Sequence, residues 1–169
     1  MKKYILIFSS LLLTFALFQS CSKDEDTKTE DEKLVAEATA SGLTGWVRTP
    51  TVTAPDPVSI HGNFRIWFNS IAFNALDGSG NLPVGKSFPT GSLIVKTIYA
   101  VPTGPVTSYV VMKKDPGNVN VNGGYIWADF NKDGTINHSI TEKGVNGGCV
   151  SCHYGVTPNR DLCLAFDRH

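Results

Sequence analysis

The hydrophobic and polar positions divide the chain into three stretches. An apolar run from Tyr4 to Phe18 follows a positively charged start and is interrupted only by Ser9, Ser10 and Thr14. Residues 22–33 then show no apolar periodicity. Beyond residue 42, short apolar segments alternate with segments rich in glycine and proline. That pattern predicts one domain of class α+β, mainly an antiparallel sheet with a few short helices.

Within the third stretch, four segments have the apolar or alternating character of strands. They are residues 64–68, 92–101, 107–112 and 124–130. Asn69 and Ser70 are suited to cap a short helix through Ile71, Phe73 and Leu76. Residues 78–91 predict a loop, and residues 113–117 predict the turn between the last two strands.

Residues 129–134 begin like the calcium-binding loop of an EF-hand. The twelfth position of such a loop holds a bidentate glutamate, but here it is Ile140. We therefore interpret Asn131 to Gly134 as a tight turn that leads into another strand.

The first stretch predicts export. Met1, Lys2 and Lys3 supply a positive start, and the apolar run is too short to predict a membrane-spanning helix. It ends at Gln19-Ser20-Cys21, which is similar to a lipoprotein signal over residues 1–20 with Cys21 as the lipidated first residue of the mature chain. The alternatives are an uncleaved anchor and a plain secretory signal. We expect an exported lipoprotein at the outer membrane, on its periplasmic face or at the cell surface.

The second stretch, residues 21–42, predicts an acidic, disordered tether. Residues 21–37 hold seven acids and three lysines, so their net charge is −4, whereas residues 38–169 carry +2. An acidic run behind a lipidated cysteine resembles a surface-export tag, and an ordinary spacer is equally compatible with the composition. The chain contains no basic run of the kind that would predict binding to nucleic acid.

Near the end of the chain, Cys149, Cys152 and His153 form a C-x-x-C-H motif. Cysteines three apart in a helix share one side, where their sulfurs can bond the two vinyl groups of a haem while the histidine reaches the iron. The alternatives are a structural disulfide and half of a zinc site, for which the chain has no second C-x-x-C pair. The motif predicts covalently attached haem c.

The remaining cysteine and several other side chains have weaker assignments. Cys163 has no obvious partner and is expected in the core. A sixth iron ligand could come from four residues, none of which lies in a recognisable motif: His61, His138, His169 and Met112. We therefore expect an iron that is open or weakly ligated on its distal side.

Residues 58–166 resemble the cytochrome P460 family, small exported haem proteins that include cytochrome c′-β. The resemblance rests on five segments: residues 61–69, residues 88–96, the turn at Lys114-Asp115, residues 124–127, and the haem motif with Asp161 after it. It implies a haem domain over residues 43–169 with a curved antiparallel sheet, a C-terminal haem-attachment helix, His153 as proximal ligand and a homodimer, which is usual in the family.

The resemblance also draws attention to Lys96. In P460 proteins proper, the lysine at this spacing bonds covalently to a meso carbon of the porphyrin, so Lys96 is a candidate catalytic residue. By strand alternation it shares a face with Ile94 and Ile98, where burial would favour the nucleophilic free amine. The alternative is a lysine that extends to water. Hydroxylamine-oxidising members carry a distal carboxylate on the strand before the Lys-Asp turn, and residues 107–112 contain none.

Three functions remain open. The first is a P460-type haem protein that binds or oxidises hydroxylamine or nitric oxide and passes electrons to a partner cytochrome. The second is an electron-transfer cytochrome on the outer surface. The third is a haem-free binding lipoprotein whose C-x-x-C forms a disulfide.

Overall fold

A computed structural model describes residues 28–40, 47–48, 61–144, 148–156 and 160–163. In these ranges six strands form one antiparallel sheet in which neighbours along the chain are neighbours in space. The strands are β1 (Val47–Arg48), β2 (Asn63–Phe68), β3 (Leu93–Tyr99), β4 (Val106–Lys114), β5 (Tyr125–Asn131) and β6 (Ile136–His138). The helices are α1 (Glu30–Thr39), α2 (Ser70–Phe73), α3 (Gly148–Val156) and a 3-10 helix, Ile140–Glu142. The predicted α+β class with a mainly antiparallel sheet is confirmed.

The four predicted strands are all present, with shifted ends. The predicted turn at residues 113–117 begins later, because Lys113 and Lys114 still pair with Ile126 and Tyr125 in the β4–β5 ladder. The tight turn after β5 is confirmed. Gly134 N donates to the Asn131 carbonyl at 2.9 Å, and β6 follows.

Asn69 ties α2 to the start of β3. Its Oδ1 accepts hydrogen bonds from Ala72 N at 2.9 Å and Leu93 N at 3.1 Å, and its Nδ2 donates to the Gly91 carbonyl at 2.9 Å. One side chain therefore caps the predicted short helix and fixes where β3 begins. The helix is confirmed but ends at Phe73, short of the predicted Leu76.

Both faces of the sheet are covered. We call the face that α3 and residues 160–163 cover the front face. Buried residues of the strands on this face pack against buried residues of the covering segments, and together they form the front cluster: Phe64, Ile66, Phe68, Ile94, Met112, Tyr125 and Trp127 with Val150, Leu162 and Cys163. The back face carries a second cluster: Leu93, Val95, Val111, Ile126, Ala128, Phe130 and Ile140, with Leu34 and Ala38 of α1. Burial on both faces explains the nearly continuous apolar run of β3.

The predicted disordered tether over residues 21–42 is wrong for Glu30–Thr39, which form α1. Thr29 and Glu32 form a capping box, and three acids in the first turn suit the positive end of the helix dipole. Leu34 and Ala38, 2% and 0% exposed, lie one turn apart and pack on the back face. The folded body therefore includes α1, ahead of the predicted boundary at residue 43.

The export predictions fall on residues that the structure does not describe. The predicted signal over residues 1–20 and the predicted lipid attachment at Cys21 lie outside the described ranges. Among the described residues, no helix has the length and apolar character needed to cross a membrane.

Candidate haem site

Helix α3 carries the whole C-x-x-C-H motif. Near the start of this helix, Cys149 N donates to the Gly144 carbonyl at 3.0 Å. Its Val150 is buried against the front face. Cys149 is partly buried against that cluster, whereas Cys152 is exposed, and both are free thiols. The helix therefore presents one cysteine at the edge of an apolar cluster and the other one turn later.

His153 is fixed in one orientation. Its Nδ1 lies 2.5 Å from the Leu162 carbonyl oxygen, and its ring meets Trp127 edge-on at 5.0 Å. Since a carbonyl only accepts, we infer that Nδ1 carries the proton and that Nε2 keeps its lone pair. Burial, opposed by the hydrogen bond to Leu162 and aided by the charge of Lys96, lowers the pKa of His153 to about 4. The imidazole is thus neutral at pH 7, as an iron ligand must be.

Lys96 lies on the front face, as its strand alternation predicted. Ile94 belongs to the front cluster and Ile98 packs against it, on the same side of β3. The Lys96 Nζ lies 4.3 Å from the centroid of the Phe64 ring, within reach of a cation–π interaction. Its charge also contributes to the lowered pKa values of His61 and His153. Lys96 and the haem motif therefore belong to one site.

The four candidate sixth ligands are separated by the fold. His61 is partly buried, and burial first, then the charges of Lys96 and His153, lower its pKa to about 4. Met112 is buried in the front cluster. His138 lies on β6, where its Nδ1 is 3.1 Å from Glu142 Oε2 and the side chain is exposed. His169 lies outside the described residues. His61 is thus the candidate that shares the electrostatic surroundings of His153.

One row of residues crosses the front face at the level of Lys96. The register pairs Ile66 with Lys96, Lys96 with Val110, and Val110 with Asp129. At this level β4, the strand before the Lys-Asp turn, holds Val110, whereas β5 holds a carboxylate, Asp129. After burial, the charge of Asp129 is the next cause that raises the pKa of the Cys149 thiol. Sequence reasoning missed Asp129 because its place depends on the pairing register of two strands.

A second feature that the sequence did not reveal is a cluster centred on Asp161. Its Oδ2 accepts from Tyr125 Oη at 2.7 Å and from Phe88 N at 2.7 Å. Lys114 Nζ lies 2.8 Å and 3.0 Å from its two carboxylate oxygens. We call Phe88, Lys114, Tyr125 and Asp161 the Asp161 cluster. It joins the loop before β3, the end of β4 and the start of β5 to the segment that follows α3.

Two glycines before β5 let Leu162 and the Lys114 side chain pack close to the backbone. A Cβ on Gly123, whose φ is +64°, would lie 2.4 Å from Leu162 Cδ1. A Cβ on Gly124, whose φ is +84°, would lie 3.0 Å from Lys114 Nζ. Both positions combine a left-handed backbone with close contact, so a larger residue would push the C-terminal segment or Lys114 away.

Comparison with known proteins decides the family. The Cytochrome P460 family model matches residues 44–163. The chain belongs to the Cytochrome P460 family. The resemblance seen in the sequence is therefore confirmed, and membership makes this chain a haem c cytochrome. No curated protein matches the chain significantly. Helix α1 precedes the matched range.

The residues of this site fit a haem c group. Cys149 and Cys152 offer free thiols at the spacing of two thioether bonds, and His153 offers an unprotonated Nε2. Aromatic and aliphatic side chains of the front cluster supply apolar walls, with Lys96 among them. Cys163, 2% exposed in the same cluster, is core as predicted.

Proposed function

We propose that this chain is an exported mono-haem c cytochrome of the P460 type that binds or oxidises hydroxylamine or nitric oxide at an open iron position. The observation that carries this proposal is the fixed, neutral imidazole of His153, whose Nε2 is free to bind iron beside Cys149. Lys96 and His61 share that surrounding, so nitrogen groups of the chain gather at one place on the front face.

The residues have distinct roles in this proposal. Haem supplies an iron that changes oxidation state and an axial position for a small ligand. Cys149 and Cys152 anchor the group, and His153 binds on the proximal side. The Trp127 ring packs edge-on against the imidazole, and the Phe64 ring lies against Lys96 Nζ. His61 is neutral at pH 7 and can donate or accept a hydrogen bond, which matters because β4 offers Val110 rather than an acid.

An open distal position is supported by where the other ligand candidates lie. Met112 packs within the front cluster, and His138 is exposed and paired with Glu142. Replacing His61 therefore tests whether this histidine is a sixth ligand. Replacing His138, which is exposed, is the matched control.

A covalent bond between Lys96 and the porphyrin is part of the proposal: the free amine would replace a meso hydrogen, and peroxide, as the two-electron oxidant, would take up the two electrons and two protons released. It is supported by the place of Lys96 on the front face, on the same side of β3 as Ile94 and Ile98. Peptide mass spectrometry of haem-loaded protein tests it. Recovery of unmodified Lys96 peptides, even after peroxide treatment, would exclude the bond and favour a gas-binding or electron-transfer cytochrome.

The place of the protein in the cell is also a proposal. The apolar run before Cys21 supports export and lipid attachment at the outer membrane, on the periplasmic face or at the cell surface. A partner cytochrome would take up or supply electrons, and a homodimer would follow the usual form of the family. Metabolic labelling with a fatty acid, compared between wild type and Cys21→Ala, tests the lipid.

The absorption spectrum of the reduced protein, before and after nitric oxide, tests the function. We expect a five-coordinate or red-shifted ferrous spectrum that changes on binding nitric oxide without loss of a strong protein ligand. A sharp six-coordinate spectrum that disappears in His61→Ala but persists in His138→Ala would instead favour the electron-transfer cytochrome. A protein without any haem band would favour the haem-free binding lipoprotein.

A further inference from the structure

The Asp161 cluster is a buried hydrogen-bond network rather than a surface ion pair. The Asp161 and Lys114 side chains are only 9% and 13% exposed. The carboxylate accepts hydrogen bonds from a lysine, a tyrosine hydroxyl and a backbone N–H, which come from three separate parts of the chain. Charge-assisted bonds of this kind are strong and directional when water is excluded.

The tyrosine of the cluster keeps its proton. Burial, followed by the hydrogen bond to Asp161 and its charge, raises the pKa of Tyr125 far above its ordinary value. The Tyr125 hydroxyl therefore stays protonated, and remains a donor, above the pH at which an ordinary tyrosine ionises. Its ring also lies 4.4 Å from Lys114 Nζ, so the cation contacts both the ring and the carboxylate.

Asp161 and the next residue have an unusual backbone. Their φ angles are +51° and +64°, in the left-handed region that residues other than glycine rarely adopt. Two consecutive residues of this kind persist only where their surroundings determine them. The bonds to the Asp161 side chain fix the first residue, the packing of the Leu162 side chain on the front face fixes the second, and Arg160 Nη1 donates to the Leu82 carbonyl at 2.7 Å just before them.

This left-handed turn sets the position of the Leu162 carbonyl oxygen. The Leu162 carbonyl points at His153 Nδ1, 2.5 Å away. The acceptor that selects the tautomer of His153 is thus attached to a turn that Asp161 holds in place. A histidine that binds a metal through Nε2 depends on such a partner for its orientation and its basicity.

We propose that Asp161 is a positioning residue for the proximal histidine, acting through the left-handed turn at Asp161 and Leu162 to hold the acceptor of His153 Nδ1. The proposal rests on the proposed role of His153 as iron ligand. Its consequence is that Asp161, whose described hydrogen bonds reach none of Cys149, Cys152 and His153, would set the strength of the bond that His153 makes to iron. A fixed acceptor for Nδ1–H gives the imidazole ring more imidazolate character. Nε2 would then donate more strongly to iron, which favours the ferric state.

The test compares Asp161→Asn with Asp31→Asn in the haem-loaded full chain. Asp31 is a matched control, since its carboxylate accepts from Ser139 Oγ at 2.6 Å and Ile140 N at 2.9 Å on the other side of the sheet. In Asp161→Asn, the iron–histidine band in ferrous resonance Raman spectra should broaden and move to lower wavenumber. The ratio of ferrous to ferric protein in equilibrium with a redox dye should rise by about tenfold, which is the lower end of what losing such a partner costs in metal affinity or activity. Asp31→Asn should change neither.

A graded variant keeps the test decisive if Asp161→Asn does not fold. Tyr125→Phe removes one donor to the carboxylate and should move the same band in the same direction by a smaller amount. An unchanged iron–histidine band in folded, haem-loaded Asp161→Asn, or in Tyr125→Phe where the first variant fails to fold, would overturn the proposal.

A separate measurement distinguishes this proposal from the proposed function. In haem-free protein, ¹⁵N chemical shifts report the tautomer of His153 directly. We expect the Nδ1–H form in wild type and in Asp31→Asn, and a mixture of both tautomers in Asp161→Asn or Tyr125→Phe. A single Nδ1–H tautomer in all of these proteins would overturn the positioning role, whereas a wild-type chain that never takes up haem would overturn only the proposed function.

Discussion

The two faces of the sheet are built from the same strands but hold different kinds of residue. The front face encloses Lys96, His153 and the Asp161 cluster among aromatic and aliphatic side chains. The back face is a mainly apolar cluster covered by Leu34 and Ala38 of α1, with the buried polar residue Thr97 on β3 and an ion pair at its exposed rim. The front face therefore holds an ion pair where water is scarce, whereas the ion pair of Lys113 and Glu37 on the back face is more exposed.

Two adjacent lysines of β4 show what this difference means. Side chains alternate along a strand, so Lys113 and Lys114 point to opposite faces. Lys113 reaches Glu37 of α1 at 2.6 Å, with side-chain exposures of 25% and 40%. Lys114 reaches Asp161 at 2.8 Å, with exposures of 13% and 9%. The same residue type one position apart thus forms a rim contact on the back face and a buried pair on the front face.

The largest expected effect comes from breaking these two ion pairs separately. Lys114→Met leaves Asp161 buried without its cation, which should lower the free energy of unfolding by about 3–5 kcal/mol. Lys113→Met should cost at most about 1 kcal/mol, because water screens its pair. Urea denaturation of haem-loaded protein measures both. Equal losses for the two variants would contradict the distinction between the faces.

A second variant tests whether α1 truly seals the back face. Leu34→Ala removes a buried side chain from that cluster and should lower the free energy of unfolding by about 2–5 kcal/mol. The haem absorption should stay as in wild type, since Leu34 lies on the face away from His153. Val119→Ala, at a position 83% exposed, is the control and should change stability by less than about 0.5 kcal/mol. A Leu34→Ala loss as small as that of the control would restore the tether interpretation.

A smaller effect should appear in the pH dependence of stability. The pKa of His61 in the folded protein is lowered to about 4 from an ordinary 6.5, so between these values the unfolded chain binds the extra proton. Stability therefore rises with pH across this window and is lost as the pH falls. The contribution of His61 to the slope is at most about 1.4 kcal/mol per pH unit.

Unfolding of haem-loaded His61→Gln at several pH values between 4 and 6.5 measures that slope, which should be shallower than in wild type. His138→Gln, an exposed histidine on β6, is the matched control. A slope in His61→Gln as steep as in wild type would show that His61 is not buried on the front face.

The sequence was most informative where chemistry or periodicity is local. The C-x-x-C-H motif, the strands and the face of Lys96 could be predicted because each depends on the spacing of neighbouring residues. Helix α1 was misjudged because its two anchors, Leu34 and Ala38, are set among acidic residues. The capping box of Thr29 and Glu32, followed by apolar residues four apart, was the signal that could have identified it.

The remaining features of the site could not be predicted, because they depend on contacts between distant parts of the chain. Asp129 enters the row of Lys96 only through the register of β4 and β5. Asp161 was visible as a residue that follows the haem motif, but its donors lie 36 to 73 positions away in sequence. No spacing rule connects such residues before the sheet is assembled.

Peptide mapping of the haem-loaded protein tests the central claim most directly. Cleavage after Lys143 and Arg160 releases residues 144–160, which contain both motif cysteines. We predict that mass spectrometry finds the haem mass on this peptide, bound through Cys149 and Cys152. A protein that contains haem but yields this peptide with free thiols or with a Cys149–Cys152 disulfide would contradict the account.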